Sequence, residues 1–260
     1  MSQKRLKFDT KKFFFIILAL VILSMLALDY SNLSQFSLDN LVSTFIGLTS
    51  PEWAYIYTGT GESLIPLMVE TIAIAFYGTI IGSLISIPFI LLSSNIIWGQ
   101  KSFVPKVGRF LLDILRAIPT LIYGLIFVIV VGPGPFAGAL ALGLQLVGTL
   151  AKQVAEAMDA IDSTPIEGLE SSGATSFQTF QYAILPQTIS PAFTYIMINF
   201  EISIRSATTL GLVGAGGIGA PIIFALQARN WSRVSIILLA IIIIVLIFDQ
   251  LSSFIRKKLA

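Results

Sequence analysis

Read for where apolar and polar positions fall, the chain is dominated by long stretches that leave no polar side. Residues 13–28 are nearly uninterrupted apolar, and similar stretches run over 66–92, 107–131, 135–155, 187–210 and 234–255. Each approaches the roughly 20 apolar residues that a helix needs to cross bilayer hydrocarbon. Between the third and fourth, Gly132-Pro133-Gly134-Pro135 is a tight turn through which no helix continues. The pattern predicts an all-α polytopic membrane protein with six transmembrane helices.

The first stretch follows Lys4, Arg5, Lys7, Lys11 and Lys12, a basic flank that cleaved signal peptides share. Leu26-Ala27-Leu28-Asp29 offers no small-x-small cleavage site, so an uncleaved span is expected. Residues 29–62 carry Asp29, Asp39, Glu52 and Glu62 with no Lys or Arg, the character of an external loop.

Composition agrees with the pattern. The 260 residues are 55% hydrophobic and 12% charged, with a mean hydropathy of +0.89; soluble domains carry about 25% charged residues. There is no Cys and no His, which removes disulfides, thiol chemistry and the commonest zinc, haem and iron–sulfur ligand sets, and histidine as a general base. No metal site is expected. No basic stripe with interleaved aromatics is present, so nucleic acid is not an expected partner. An even number of spans puts both termini on one side. Lys4 to Lys12, then Lys101, Lys106 and Arg109, then Arg256, Lys257 and Lys258 gather on that side, which the positive-inside bias makes cytoplasmic. Arg229 and Arg233 fall outside and count mildly against this orientation.

The polar interval 156–186 is the most informative. Thr164-Pro165-Ile166-Glu167 has the form of a capping box, with Thr164 as cap, Pro165 first in the helix and Glu167 reaching back. That helix is expected to end at Gly173 in a left-handed conformation. Thr175-Ser176-Phe177-Gln178 repeats the signal and starts a second helix, expected to stop near Pro186, with Phe177, Phe180 and Ile184 on one face. Helices this short are marginal in water alone, so something packs on them. Two readings stand: a loop folded on the protein's own helix ends, or a docking element for a cytoplasmic subunit.

Here the residues carry a resemblance. Glu167-Gly168-Leu169, three residues, Gly173, nine residues and Ala183-Ile184-Leu185-Pro186 resemble the EAA signature of ATP-binding-cassette importer permeases. The chain keeps Glu167, Gly173, Leu185 and Pro186 and departs at Gly168, Leu169 and Ala183. The run from Phe200 to Gly219, with Leu115-Arg116-Ala117-Ile118-Pro119 and Val131-Gly132-Pro133-Gly134-Pro135-Phe136-Ala137-Gly138, is similar to phosphonate permeases of the PhnE type. The resemblance extends from about Pro66 to the C-terminus.

It implies a MetI-like type I importer fold with cytoplasmic coupling helices, set in the bacterial cytoplasmic membrane. The domains are then 1–64, a signal-anchor helix and external loop, and 65–256, the permease domain. The implied partners are a cytoplasmic ATPase dimer, an extracytoplasmic solute-binding protein delivering phosphonate or a related phosphorus oxyanion, and a second permease copy forming a homodimer. ATP and Mg would reside on the ATPase, with no cofactor on this chain. Glu167, Gly168, Leu169, Gly173, Ala174, Phe177, Leu185 and Pro186 would couple to the ATPase.

Ionisable groups within spans cost about 2.5–3.5 kcal/mol at the bilayer centre on insertion scales. Glu201 and Arg205, four apart, can neutralise each other on one helical face. They are either a self-satisfied structural pair or part of a pathway in which Arg205 meets an anion, with Ser206, Thr208 and Thr209 as neutral donors. Asp113 and Arg116 form a structural pair three apart, and Glu70 and Asp249 have no partner nearby in sequence. From Gly211 to Gly219 glycine is too frequent for an ordinary helix. The run is either an external loop or a broken, re-entrant segment whose amides, Gly214, Gly216 and Gly217 among them, meet an anion. Gly134 with Gly138 and Ala139 with Gly143 permit close helix packing, within one subunit or across a dimer.

No Gly-x-x-x-x-Gly-Lys-Ser/Thr loop occurs, so the chain cannot hydrolyse ATP by that route. A secondary transporter coupled to protons or sodium is the competing class, but such folds often pair their broken helices, and only one glycine-rich break is visible. An intramembrane enzyme would rest on carboxylates or on Lys152, which has no evident serine partner.

Overall fold

The computed structural model describes residues 10–28, 37–59, 63–99 and 101–259. Asp29, Glu62, Lys4, Arg5 and Lys7 lie outside the described residues, as do the side chains of Lys11, Lys12, Lys257 and Lys258. Regular structure among the described residues is helical throughout. The chain divides into two compact units, residues 1–46 and 47–260.

The first unit contains α1 (Thr10–Ala27), an 18-residue apolar helix, and the start of α2 (Leu38–Thr49). The expected external loop is therefore partly helical. Leu38, Leu41, Val42, Phe45 and Ile46, three and four apart, form an exposed apolar face, and Asp39 sits in the first turn, where a helix favours negative charge. A 3-10 turn, Trp53–Ile56, follows.

In the second unit α3 (Leu64–Ser93) packs along α7 (Pro135–Asp159). The two approach closely because small residues face each other. A Cβ on Gly82 would lie 2.7 Å from the Gly143 carbonyl oxygen, and one on Gly78 would lie 2.7 Å from Leu142 Cβ. Gly143 of the expected Ala139/Gly143 pair thus serves packing within one chain. Leu142, Leu146, Val147 and Leu150 of α7 are fully enclosed, so α7 is the central helix of this unit.

After the short α4 (Asn95–Trp98), the third apolar stretch is bent rather than straight. Helices α5 (Val104–Ala117) and α6 (Thr120–Val131) meet at 82°. Proline explains the corner: Ile118 takes extended backbone (φ −81, ψ 123), as a residue before proline must. Tyr123 spans the bend, its hydroxyl donating to the Leu115 carbonyl at 2.7 Å.

Beyond α7 come α8 (Thr164–Ser171), α9 (Ser176–Thr179), a π turn (Phe180–Ile184) and α10 (Leu185–Leu210). A 3-10 turn (Gly211–Val213), α11 (Gly219–Gln227) and α12 (Trp231–Leu259) complete the unit. Among the described residues three helices, Leu64–Ser93, Pro135–Asp159 and Trp231–Arg256, are by length and composition long and apolar enough to cross a membrane, or four where the bent pair is taken as one span. The other two expected spans are helical but of different character. The described apolar part of the first, Phe13–Ala27, is shorter, and the 26-residue α10 carries Gln187, Asn199, Glu201 and Arg205.

The α3–α7 contact yields a prediction. Gly82→Val places branched carbons against the Gly143 backbone, an overpacking of about 1–3 kcal/mol. The thermal midpoint of the detergent-purified protein falls, whereas Gly168→Ala, at a helical position of α8 (Thr164–Ser171) whose Cβ has no neighbour within 4 Å, leaves it unchanged.

Candidate functional site

The segment between α7 and α10 is a hairpin whose turn is fully specified. Gly173 has φ +82. Its N–H donates to the Glu170 carbonyl and that of Ala174 to the Leu169 carbonyl, each at 3.0 Å. These crossed bonds form a Schellman motif, which satisfies the last carbonyls of α8. A Cβ at Gly173 would meet no atom within 4 Å, so only the left-handed backbone demands glycine here.

The start of α8 differs from expectation. Asp162, not Thr164, supplies the acceptor: its Oδ1 takes the Thr164 N–H (3.0 Å) and hydroxyl (2.8 Å). Ser163 is the cap residue by position, and its hydroxyl donates to Glu167 Oε1 at 3.0 Å. The Asp162 carboxylate thus takes the Thr164 N–H expected to reach Glu167, and engages the hydroxyl expected to cap the helix. The two Thr164 bonds, backbone first, hold the Asp162 carboxyl below the usual carboxylate range. The start of α9 matches expectation, with a complete capping box between Thr175 and Gln178.

Pro186 does not end the second helix. The N–H of Leu185 reaches back to the Phe180 carbonyl, a five-residue π turn. The widened turn accommodates a proline ring that would clash with an ordinary ladder, and the helix continues without a loop as α10. The second arm of the hairpin is thus continuous with a long helix through the protein. Gln187 ties the hairpin root to that arm, accepting from Asp162 N at 3.2 Å and donating to the Ala183 carbonyl at 2.9 Å.

On the expected common face, Phe177 is 71% exposed, Phe180 half-buried and Ile184 buried. They border an open cavity of about 520 Å³, walled by Leu91, Ile96, Ile97 and Trp98 on one side and by Ile166 and Glu170 on another. Gly168, Leu169, Leu185 and Pro186 are exposed or half-exposed on the hairpin.

Farther along α10, Arg205 Nη2 bonds Glu201 Oε1 at 2.7 Å, and Arg256 of α12 lies 4.0 Å from Glu201 Oε2. Glu201 is largely enclosed, at 13% exposure, and Arg205 is 51% exposed. The Thr208 hydroxyl donates to the Arg205 carbonyl at 2.6 Å and that of Thr209 to the Ser206 carbonyl at 2.8 Å. Their hydrogens are committed to the helix, so these hydroxyls offer lone pairs rather than donors. Asp113 has a closer partner than Arg116: Lys152 at 2.6 Å against 3.8 Å. Asp249 is exposed on α12.

The glycine run is a packed break in the helical path. Ala215 and Ile218 are fully buried, and Gly214, Gly216 and Gly217 have positive φ. Glu70 finds its partner here, its Oε1 accepting the Gly217 N–H at 2.9 Å, while Thr71 Oγ1 accepts that of Ile218 at 2.9 Å. A Cβ on Gly217 would fall 2.6 Å from Thr71 Oγ1. The Gly214 and Ala215 amides bond the carbonyls of Gly211 and Leu210. In this arrangement those amides are occupied by the protein's own acceptors. Beside them, Glu70, Gly216, Gly217, Asn230 and Arg233 border a cavity of about 640 Å³.

Arg233, unexpected on the acidic side, is matched by Glu52. Its Nε and Nη2 reach the two carboxylate oxygens at 3.1 and 2.9 Å, and its guanidinium lies 4.7 Å from the Tyr55 ring centroid. Among the described residues no cluster of three or more His, Cys, Asp or Glu could hold a metal ion.

A bundle of apolar helices with a stiff polar hairpin and a buried glycine break defines a multi-pass membrane transport component. Residues 95–260 match the family described as "Binding-protein-dependent transport system inner membrane component", and the chain belongs to that family. It is 37% identical over 197 residues to the phosphite transport system permease protein PtxC of Stutzerimonas stutzeri, covering 75% of this chain and 71% of that one. It is 32% identical over 203 residues to the phosphate-import permease protein PhnE of Mycolicibacterium smegmatis, covering 78% of this chain and 38% of that one. The fold is shared with the inward-facing MetNI methionine ABC transporter, at a TM-score of 0.66 and 22% identity, over 76% of this chain and 96% of that chain.

The Glu52 clamp gives a pH prediction. The Arg233 hydrogen bond, set against partial burial, holds the Glu52 carboxyl below its ordinary value. A carboxylate depressed on folding contributes stability above its unfolded value, about 4.3, and loses it as pH falls through the lower folded value. Trp53 fluorescence reports release of the clamp in that acid window, and Glu52→Gln removes the transition.

Proposed function

We propose that this chain is the membrane-spanning subunit of an ATP-binding-cassette importer that carries phosphonate or a related phosphorus oxyanion, phosphite or phosphate, across the bacterial cytoplasmic membrane. The observation that carries the reading is the hairpin: a turn fixed by Gly173, an open apolar groove beside Phe177 and Phe180, and a second arm continuous with α10. The named substrates of the similar permeases support the substrate class.

On this reading a cytoplasmic ATPase dimer grips the hairpins of two permease copies through Glu167, Gly168, Leu169, Gly173, Ala174, Phe177, Leu185 and Pro186. ATP and Mg stay on the ATPase, and this chain holds no cofactor and catalyses no reaction. Both termini are cytoplasmic, and residues 65–256 form the transport domain. An extracytoplasmic solute-binding protein delivers the anion at the end where the glycine break and Arg233 lie.

Mechanically, closure of the ATPase pair displaces the hairpin. Because the π turn joins it to α10 without a loop, the displacement travels along α10 to the Glu201–Arg205 pair and to the Gly211–Gly219 break. Arg205, half exposed, supplies a planar donor fork for an oxyanion. Ser206, Thr208, Thr209 and the backbone of Gly214, Gly216 and Gly217 line the path. Alternating access follows from opening one end as the other closes.

The test is reconstitution in vesicles with the ATPase and binding protein. Uptake of phosphite or methylphosphonate then depends on ATP. Gly173→Val forces a β-branched side chain into the left-handed region, a strain of about 1–3 kcal/mol, so ATPase docking and uptake both fall while membrane insertion persists. Uptake by the chain alone, driven by a proton or sodium gradient, would instead establish an ion-coupled secondary transporter for a small anion.

A further inference from the structure

Asp159, the last residue of α7, collects donors from two other parts of the chain, residues 94–96 at the start of α4 and Arg109 on α5. Its Oδ1 accepts from Ser94 Oγ at 2.8 Å and from the Ile96 N–H at 3.1 Å. Its Oδ2 accepts from Asn95 Nδ2 at 2.8 Å and is ion-paired with Arg109 Nη2. Arg109 in turn donates Nε to the Ser93 carbonyl at 3.0 Å, one of the carbonyls that the end of α3 leaves without a helical partner. A carboxylate offers about four lone-pair sites, and all are committed. The side chain is 16% exposed, so water competes little for these bonds.

The placement of this junction gives it consequence. Residues 160–163 alone separate Asp159 from α8, so it stands at the root of the hairpin. The α4 turn that it holds presents Ile96, Ile97 and Trp98 to the groove opposite Phe177 and Phe180. Arg109 lies on α5, one arm of the 82° bend with α6. The other tether at the root, Gln187 to Asp162, leads to α10 and not to α5.

We propose that Asp159 is a positioning residue for energy coupling: it locks the hairpin root to α4 and α5, so that a pull on the hairpin moves both walls of the groove and reaches the bent pair. This rests on the reading of the hairpin as the ATPase grip. Without the lock, residues 160–163 act as a loose joint; the ATPase still docks, but its stroke reaches α10 without α5.

The test uses the full complex of permease, ATPase and binding protein in proteoliposomes, reading ATPase affinity, ATP hydrolysis and substrate transported per ATP. Asp159→Asn keeps the shape and one acceptor but turns the other toward its former donors as an NH2. Affinity and hydrolysis stay at the wild-type level while transport per ATP falls about tenfold, within the usual range of a coupling between sites. The double variant Ser94→Ala/Asn95→Ala, which leaves the Asp159–Arg109 pair intact, lowers the same ratio less. A wild-type ratio in either variant, or a loss that merely follows reduced ATPase affinity and a lower thermal midpoint, overturns the proposal. The two readings fail separately. Normal docking by Gly173→Val removes the grip itself, whereas an unaltered ratio in the Asp159 and Ser94/Asn95 variants, with Gly173→Val impaired, removes only the role of Asp159.

Discussion

The left-handed conformation at Gly173 sets the geometry on which the functional account stands. It closes the Schellman bonds to Leu169 and Glu170, and so fixes the direction in which the second arm leaves α8. Two helices of eight and four residues have too few internal bonds to hold a shape alone. Their stiffness comes from the turn, from the Thr175–Gln178 capping box and from continuity with α10. An element that transmits force must be stiff, and these features provide that stiffness on a surface otherwise poor in contacts.

The same economy of backbone bonding appears deeper in the protein. Hydrocarbon offers no water to an unpaired amide or carbonyl, so a departure from the helix has to find its partners within the protein. At the α5–α6 corner, the Tyr123 hydroxyl reaches the Leu115 carbonyl. At Pro186 the π turn reroutes the Leu185 N–H. In the glycine run, Glu70 and Thr71 of α3 meet the amides of Gly217 and Ile218. A carboxylate within an apolar helix is costly, and Glu70 is accounted for by the break that it satisfies. All three departures lie on the proposed route from hairpin to substrate path.

Local features were legible in the sequence. The apolar stretches, the glycine at the hairpin turn, the capping box at Thr175 and the Glu201–Arg205 pair depend on neighbours within a few residues, and the structure has each of them. The helix at Leu38–Thr49 was legible too, since its apolar residues recur three and four apart, but the acidic residues around it suggested only a loop. Other features depend on distant partners. Glu70 bonds an amide 147 positions away, Arg109 lies 50 positions from Asp159 and Ser94 65, and Lys152 joins Asp113 across 39. No spacing rule reveals such pairs. Pro186 misled for a different reason: proline usually marks a helix end, but one turn of π geometry absorbs its missing N–H.

The central claim is that the hairpin lies on the cytoplasmic side, where an energy-supplying protein can hold it. The chain has no cysteine, so Ser176→Cys introduces one thiol at the start of α9. A membrane-impermeant maleimide applied to intact cells should leave it unlabelled, and the same reagent on inside-out vesicles should label it, with protection when the ATPase subunit is bound. Labelling from outside intact cells would contradict the orientation and the coupling role together.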